Sequence, residues 1–278
     1  MKKDSYGDIK QFMDIGVTNY RRICVFGGVY NNYLALSALL REVQKQNGDT
    51  IFCLGDLGAF GPHPNRVYPL LVEGKVRVVQ GNYDNSIGND RDDCQCGYTD
   101  PRDNYFAQIS YDYTKANTSA EFKDYQKTLP PFIRFESFGK RVLLCHGSPR
   151  RTNEFLWETA TPTHLLEKFF QEHQVDLICT THTGIKWQRQ LRENRLFVNV
   201  GVIGRPENDG RANVWYTIIE FTPEPRIEFR PLEYDHQRLA KEMAEEKLPK
   251  EFIETVRTGW WTTCLEILPG KERARGKF

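Results

Sequence analysis

Past a polar first stretch, Met1 to Tyr20, short apolar runs alternate with segments whose apolar residues return at helical spacing. Ile23-Cys24-Val25-Phe26 is the first run, and its length and the closing Gly27-Gly28 predict a buried strand. Tyr33 to Gln46 carries Leu34, Leu36, Leu39, Leu40 and Val43 at the spacing of one helical face. Thr50 to Leu54 predicts a second strand, Arg66 to Leu71 a second helix and Val76 to Val79 a third strand. Strands separated by helices pair in parallel through right-handed crossovers, and such sheets gather ligands in the loops past the strand carboxyl ends. Chemistry is therefore expected after Phe26, Leu54 and Val79.

The pattern then changes. Gly88 to Asp103 is rich in Asp, Asn, Cys and Gly, and Tyr105 to Lys127 has helical character, so residues 88–128 are expected to form an insertion shaping a pocket rim. Phe132–Phe135, Val142–Cys145, Leu177–Thr180, Leu196–Asn199 and Trp215–Phe221 predict further strands. Few helices separate the late ones, which predicts a second sheet, mixed or antiparallel, that includes Trp215–Phe221. Charged helical segments follow at His236–Glu246 and Lys250–Arg257, before Trp260-Trp261, a clasp for the tail or a contact in a homodimer. The division is an extension over 1–20, a principal domain over 21–232 and a helical tail over 233–278 packed on it.

Composition narrows the class. A chain of 278 residues with 39% hydrophobic residues can bury one substantial core. A net charge of +1 excludes the general field that drives unspecific binding to nucleic acid or anionic membrane. No run reaches the ~18 apolar residues of a membrane span, and the amino terminus lacks an apolar signal core, which points to a cytoplasmic protein. Of seven cysteines, Cys24, Cys53, Cys145 and Cys179 sit inside apolar runs and are expected as buried free thiols. Cys94 and Cys96 form a lone C-x-C pair in a polar loop, which falls short of the paired motifs of a zinc site.

The informative polar residues stand just past apolar runs: Asp56, Asn82, His146 and His182, with Asn199 a later companion. A carboxylate, an amide oxygen and two imidazoles suit Mn²⁺, Fe²⁺ or Zn²⁺, with positions left for water and substrate. Taken singly, Asp56 reads more readily as a helix cap than as a ligand. His63, His164, His173 and His236 lack this context and read as surface or packing residues, and Trp157, Trp187 and Trp215 as core or rim aromatics.

Five ordered motifs carry a resemblance: Gly55-Asp56-Leu57-Gly58-Ala59-Phe60-Gly61-Pro62, Gly81-Asn82-Tyr83-Asp84, His146-Gly147-Ser148-Pro149, Thr181-His182-Thr183-Gly184 and Asn199 to Pro206. From Arg22 to Glu220 the chain resembles the calcineurin-like metallophosphoesterases, in particular their YfcE-type phosphodiesterase branch. The resemblance implies an α/β fold, a four-layer α-β-β-α sandwich of two mixed sheets. It implies a phosphoesterase in which metal-activated water hydrolyses a phosphomonoester or phosphodiester. Carried over by position, Asp56, Asn82, His146 and His182 are the complete ligand set of the family's second metal, with Asp56 the bridging carboxylate.

The first metal's ligands are missing. Where the family has Asp-x-His, this chain reads Gly28-Val29-Tyr30, and the last histidine of Gly-His-x-His is Gly184. One divalent ion per chain, Mn, Fe or Zn, is therefore expected. Losing an Asp and two imidazoles removes negative charge and opens volume for part of a substrate. Tyr30 and Tyr83 bring phenols towards that space, with an ordinary pKa of about 10, and Tyr83 is the first candidate for proton donor. Asn32 matches the family's phosphate-holding Asn, Arg205 and Arg150 offer guanidinium groups for a phosphate, and Asp84 matches an acid that orients a metal ligand. An exposed arginine pair such as Arg150-Arg151 is ordinarily plain surface. Three functions fit these residues: hydrolysis of a small phosphorylated substrate, specialised metabolism on an unusual phosphorylated or oxyanionic small molecule, and a non-catalytic binding protein of the same fold.

Overall fold

Residues 12–46, 48–222 and 224–275 are described by the computed structural model. Met13–Thr18 (β1) precedes Arg22–Phe26 (β2), whose apolar residues are all buried, as a central parallel strand requires. Tyr33–Lys45 (α1) buries Leu36, Leu39, Leu40 and Val43 and returns the chain to Thr50–Cys53 (β3). Val67–Glu73 (α2) then leads to the short strand Arg77–Val78 (β4). β2, β3 and β4 pair in parallel, with Ile23 opposite Thr50 and Phe52 opposite Arg77. Their carboxyl ends therefore open on one edge, where Gly27, Asp56 and Asn82 follow.

Asn82–Gly88 (α3) comes next, and the 88–128 segment holds Pro101–Asn117 (α4) and Ala120–Thr128 (α5). The largely helical stretch expected over Tyr105–Lys127 is two helices, because Thr118 and Ser119 are extended and the Ser119 hydroxyl caps α5 at Phe122 N. The second sheet contains Phe132–Ser137 (β5), Lys140–Cys145 (β6), Leu177–Thr180 (β7), Trp187–Gln190 (β8) and Leu196–Asn199 (β9), with Thr163–His173 (α6) between β6 and β7. Val214–Glu220 (β10) and Arg226–Leu232 (β11) complete the strands described.

Strand order is β1-β5-β6-β7-β9-β8 in one sheet and β11-β10-β2-β3-β4 in the other. Two sequence expectations are corrected. β10 does not join the second sheet: it lies antiparallel to β2, Thr217 opposite Val25, because its Val214, Tyr216 and Ile218 pack with the helical side of the first sheet. Met13–Thr18, assigned to the polar extension, is an edge strand parallel to β5; most of its side chains are exposed, so it carries no apolar alternation to read.

Strand alternation builds the layers. Ile23 and Val25 face the space between the sheets with Phe52, Leu54, Ile133, Phe135 and Leu144, and Phe52 stacks on Phe135 at 5.5 Å. Cys24, Phe26 and Cys53 face outwards onto α1 and α2, while Leu143, Cys145 and Ile178 face α6 through Leu166, Phe169 and Phe170. The four free thiols expected in strands are all buried. The C-terminal helices His236–Glu245 (α7), Lys250–Thr258 (α8) and Gly270–Arg273 (α9) follow, and Leu239, Met243, Phe252 and Val256 join the α1-side core. No helix among the described residues is long and apolar enough to cross a membrane.

Candidate metal centre

The loops after β3 and β4 are pressed together. Gly55 has φ +88° and Asp56 φ +59°, and a Cβ on Gly55 would fall 2.4 Å from Gly81 N, so only glycine fits. Asp84, fully buried, ties both loops. Its carboxylate accepts Gly81 N at 2.8 Å, Asp56 N at 2.8 Å and Leu57 N at 2.9 Å. It therefore positions the chain that carries Asp56, and the hydrogen bonds found for it are to backbone N–H groups. His182, like Asp56, has left-handed backbone, φ +70°, a conformation that costs a non-glycine residue about 1–3 kcal/mol and concentrates at functional sites.

Three of the four expected ligands demonstrably meet. His146 Nε2 lies 3.1 Å from Asp56 Oδ2 and 3.1 Å from His182 Nδ1, and one ligand atom from each residue lies within 4.8 Å of the others. The outer nitrogens face carbonyl oxygens, His146 Nδ1 at 2.6 Å from Leu54 O and His182 Nε2 at 3.2 Å from Cys96 O. A carbonyl only accepts, so each outer nitrogen carries the N–H, and each ring when neutral turns its lone pair inwards. Asn82 is buried just after β4: its Nδ2 donates to Cys94 O at 2.9 Å, and its buried Oδ1 has no hydrogen-bond partner.

Acceptors that face one another without a donor require a positive charge between them. The shifts in acidity fit a positive charge in this cluster, whether an ion or a proton on His146. Burial raises the Asp56 carboxyl, but His146 outweighs it and holds the pKa below the usual value. Burial disfavours charge on His146, but Asp56 raises its pKa nonetheless. Burial and then His146 push His182 down to about 3, keeping it neutral. Carboxylate oxygen and imidazole nitrogen donors of this kind suit a divalent transition ion. The first-ion positions do not fit one: Gly28 and Gly184 offer no donor, and Tyr30 alone offers a phenol.

Beside this cluster lies a cavity of about 50 Å³, walled by Tyr30, Phe60, Phe106 and Phe252, with Asp56, His182 and Arg205 as its charged or ligating groups. The space expected to be vacant is filled. A Cβ on Gly28 would fall 2.5 Å from Tyr30 Cζ, and one on Gly184 3.3 Å from Arg205 Nη2. The Tyr83 hydroxyl is turned to α4, 3.1 Å from Ser110 Oγ and 3.4 Å from Ala107 O. Burial pushes both Tyr30 and Tyr83 well above the ordinary phenol value, which suits them to donate hydrogen bonds and makes them weak proton donors.

Two substrate contacts expected from sequence lie outside the cavity lining. Asn32 is consumed as a cap: its Oδ1 accepts Ala35 N at 3.0 Å, and its Nδ2 donates to Gly204 O at 3.3 Å. Arg150 is paired with Glu154 and lies 5.7 Å from the Phe169 ring. Arg205 does line the cavity. Sequence reading missed the tail's part, Phe252 and Cys264 in the wall and Trp261 under Arg205, and the carbonyls of Leu54, Cys94 and Cys96. Backbone carbonyls leave no trace in residue type, so no signal existed for them.

Residues 22–222 match the model of the calcineurin-like phosphoesterase superfamily domain. An uncharacterized protein of Methanocaldococcus jannaschii is 26% identical over 243 residues, 82% of this chain and 94% of the relative. A metallophosphoesterase from Sphaerobacter thermophilus is similar in structure, with TM-score 0.65 and 24% identity over 87% of this chain and 100% of that one. A hypothetical protein from Pyrococcus horikoshii gives TM-score 0.69 and 19% identity over 87% of this chain and 99% of its own. These likenesses show the two-sheet sandwich fold.

Proposed function

The chain belongs to the calcineurin-like phosphoesterase superfamily, and we propose that within it the protein is a phosphoesterase that hydrolyses a small phosphorylated substrate at a centre for one divalent ion. The observation that carries this reading is the inward turn of buried lone pairs, His146 Nε2 and His182 Nδ1 beside the Asp56 carboxylate, with their tautomers fixed by Leu54 O and Cys96 O. Asp56, Asn82, His146 and His182 would hold the ion. When bound, it supplies Lewis acidity to a phosphoryl oxygen and lowers the pKa of water towards about 7.

The chain's own groups do the rest. Asp84 holds the Asp56 loop against Gly81, and the outer carbonyls keep both imidazoles facing inwards. The aromatic walls exclude bulk water, which strengthens every electrostatic contact made inside. Tyr83, anchored on Ser110, is a hydrogen-bond donor at the rim and not the acid for the leaving group.

Elemental analysis of the purified chain, paired with phosphate release from an aryl monoester and an aryl diester, tests the proposal. One equivalent of Mn, Fe or Zn is expected, lost together with turnover in Asp56→Asn and His146→Ala. A chain that takes up no divalent ion, or hydrolyses both esters equally well after chelation, would remove the reading.

A further inference from the structure

Where the family's first ion has its ligands, this chain places a cation of its own. Arg205 is only 7% exposed, its guanidinium carbon stands 3.7 Å from the Trp261 ring centroid, and its Nη2 occupies the region a side chain at Gly184 would enter. Among the described residues no carboxylate pairs with it, and its buried Nε has no hydrogen-bond partner. A guanidinium does not shed its charge, and a buried charge without a counter-ion is costly. Stacking on Trp261 engages the flat face of the group and the Cys264 side chain takes one hydrogen bond, leaving Nε and the rest of the N–H fork in the plane for a planar or tetrahedral anion.

The rest of the cavity defines what that anion carries. Arg205 is the one cation in the lining, facing the same space as Asp56 and His182. Ser110, the non-aromatic hydroxyl there, is already engaged by Phe60 N and Tyr83. The remaining wall is mostly aromatic, from Tyr30, Phe60, Phe106 and Phe252. One positive group matches one phosphoryl unit and leaves a polyphosphate chain unneutralised. The wall offers sugar hydroxyls few free partners, and its aromatic faces suit a flat apolar group.

We propose that Arg205, carried on Trp261, stands in for the missing first ion as the receptor for one oxyanion, and that the cavity selects compact phosphate monoesters of flat, apolar alcohols. This rests on the metal reading above for the opposite side of the anion.

Inorganic phosphate, phenyl phosphate and ribose 5-phosphate, titrated calorimetrically into the full chain before and after chelation, test it, with metal content measured on the same samples. Arg205→Met is expected to weaken phosphate binding by about tenfold or more at unchanged metal content, the loss of a charge-assisted pair. Phenyl phosphate is expected to bind at least about tenfold more tightly than ribose 5-phosphate, the apolar ring filling the aromatic wall. Should Arg205→Met fail to fold, the wild-type Arg205 Nε–H resonance, assigned with Arg205→Lys, is expected to shift when phosphate is added. Phosphate affinity equal to wild type in folded Arg205→Met, an unmoved resonance, or a preference for ribose 5-phosphate would overturn the proposal. A chain without metal that still binds phosphate through Arg205 would sink the metal reading and leave this one standing.

Discussion

At the scale of single residues, the centre is organised by what its outer atoms touch. Leu54 O and Cys96 O decide which nitrogen of each histidine is bare, and Asp84 decides where Asp56 stands. Asp84→Ala would strip acceptors from three buried N–H groups, at about 1–3 kcal/mol each if left unpaired, so a loss of at least ~3 kcal/mol is expected in urea unfolding, with reduced metal content. A change below ~0.5 kcal/mol would show that water replaces the carboxylate. The meeting of Asp56, His146 and His182 was legible in the sequence because each follows a strand end. Asn32 has a structural role whose cue was present: an Asn just before a helical run is a favoured cap, and it fills that role. Arg150 sits four residues before Glu154 and pairs with it, a contact that spacing alone does not separate from a substrate role.

At the scale of elements, the loop between α3 and α4 is part of the centre. Cys94 and Cys96 are joined to each other, and their carbonyls receive Asn82 Nδ2 and His182 Nε2. The sequence reading set C-x-C aside as short of a zinc motif; the link between the pair and the centre runs through main-chain oxygens, which residue identity does not reveal. Opening this small ring frees the two carbonyls that orient ligands. Removal of such supporting contacts ordinarily costs about 10–100-fold in metal affinity. Paired Cys94→Ser and Cys96→Ser substitution is expected to weaken metal binding within that range, followed by competition with a fluorescent chelator. The other cysteines of the described chain are free thiols, so a reductant should reproduce the effect in the wild type and not in the double variant. Equal affinities for all four samples would show that the loop holds its shape unaided.

At the scale of the whole molecule, the alternation of strands and helices announced a parallel sheet and a second sheet, and the resemblance implied their four-layer order, while the places of β1 and β10 followed from neither. Apolar periodicity reports burial, not which neighbour a strand takes. β10 is buried on both faces and would satisfy that pattern in either sheet, and β1 is too exposed to show one. The tail illustrates the same limit: its amphipathic helices announced packing, but not that Phe252 would lie against Phe60 at 4.7 Å or Trp261 beneath Arg205. These contacts make the tail a wall of the site as well as a support of the fold, and two variants separate the roles. Phe52→Ala, between the sheets, and Trp261→Ala, in the tail, each delete a buried aromatic ring and are each expected to cost about 3–5 kcal/mol, roughly 6–20 °C in melting temperature. Only Trp261→Ala releases Arg205 from its stack, so only it should weaken phosphate binding at a temperature where both variants remain folded. Equal phosphate affinities for the two would reduce the tail to a structural support.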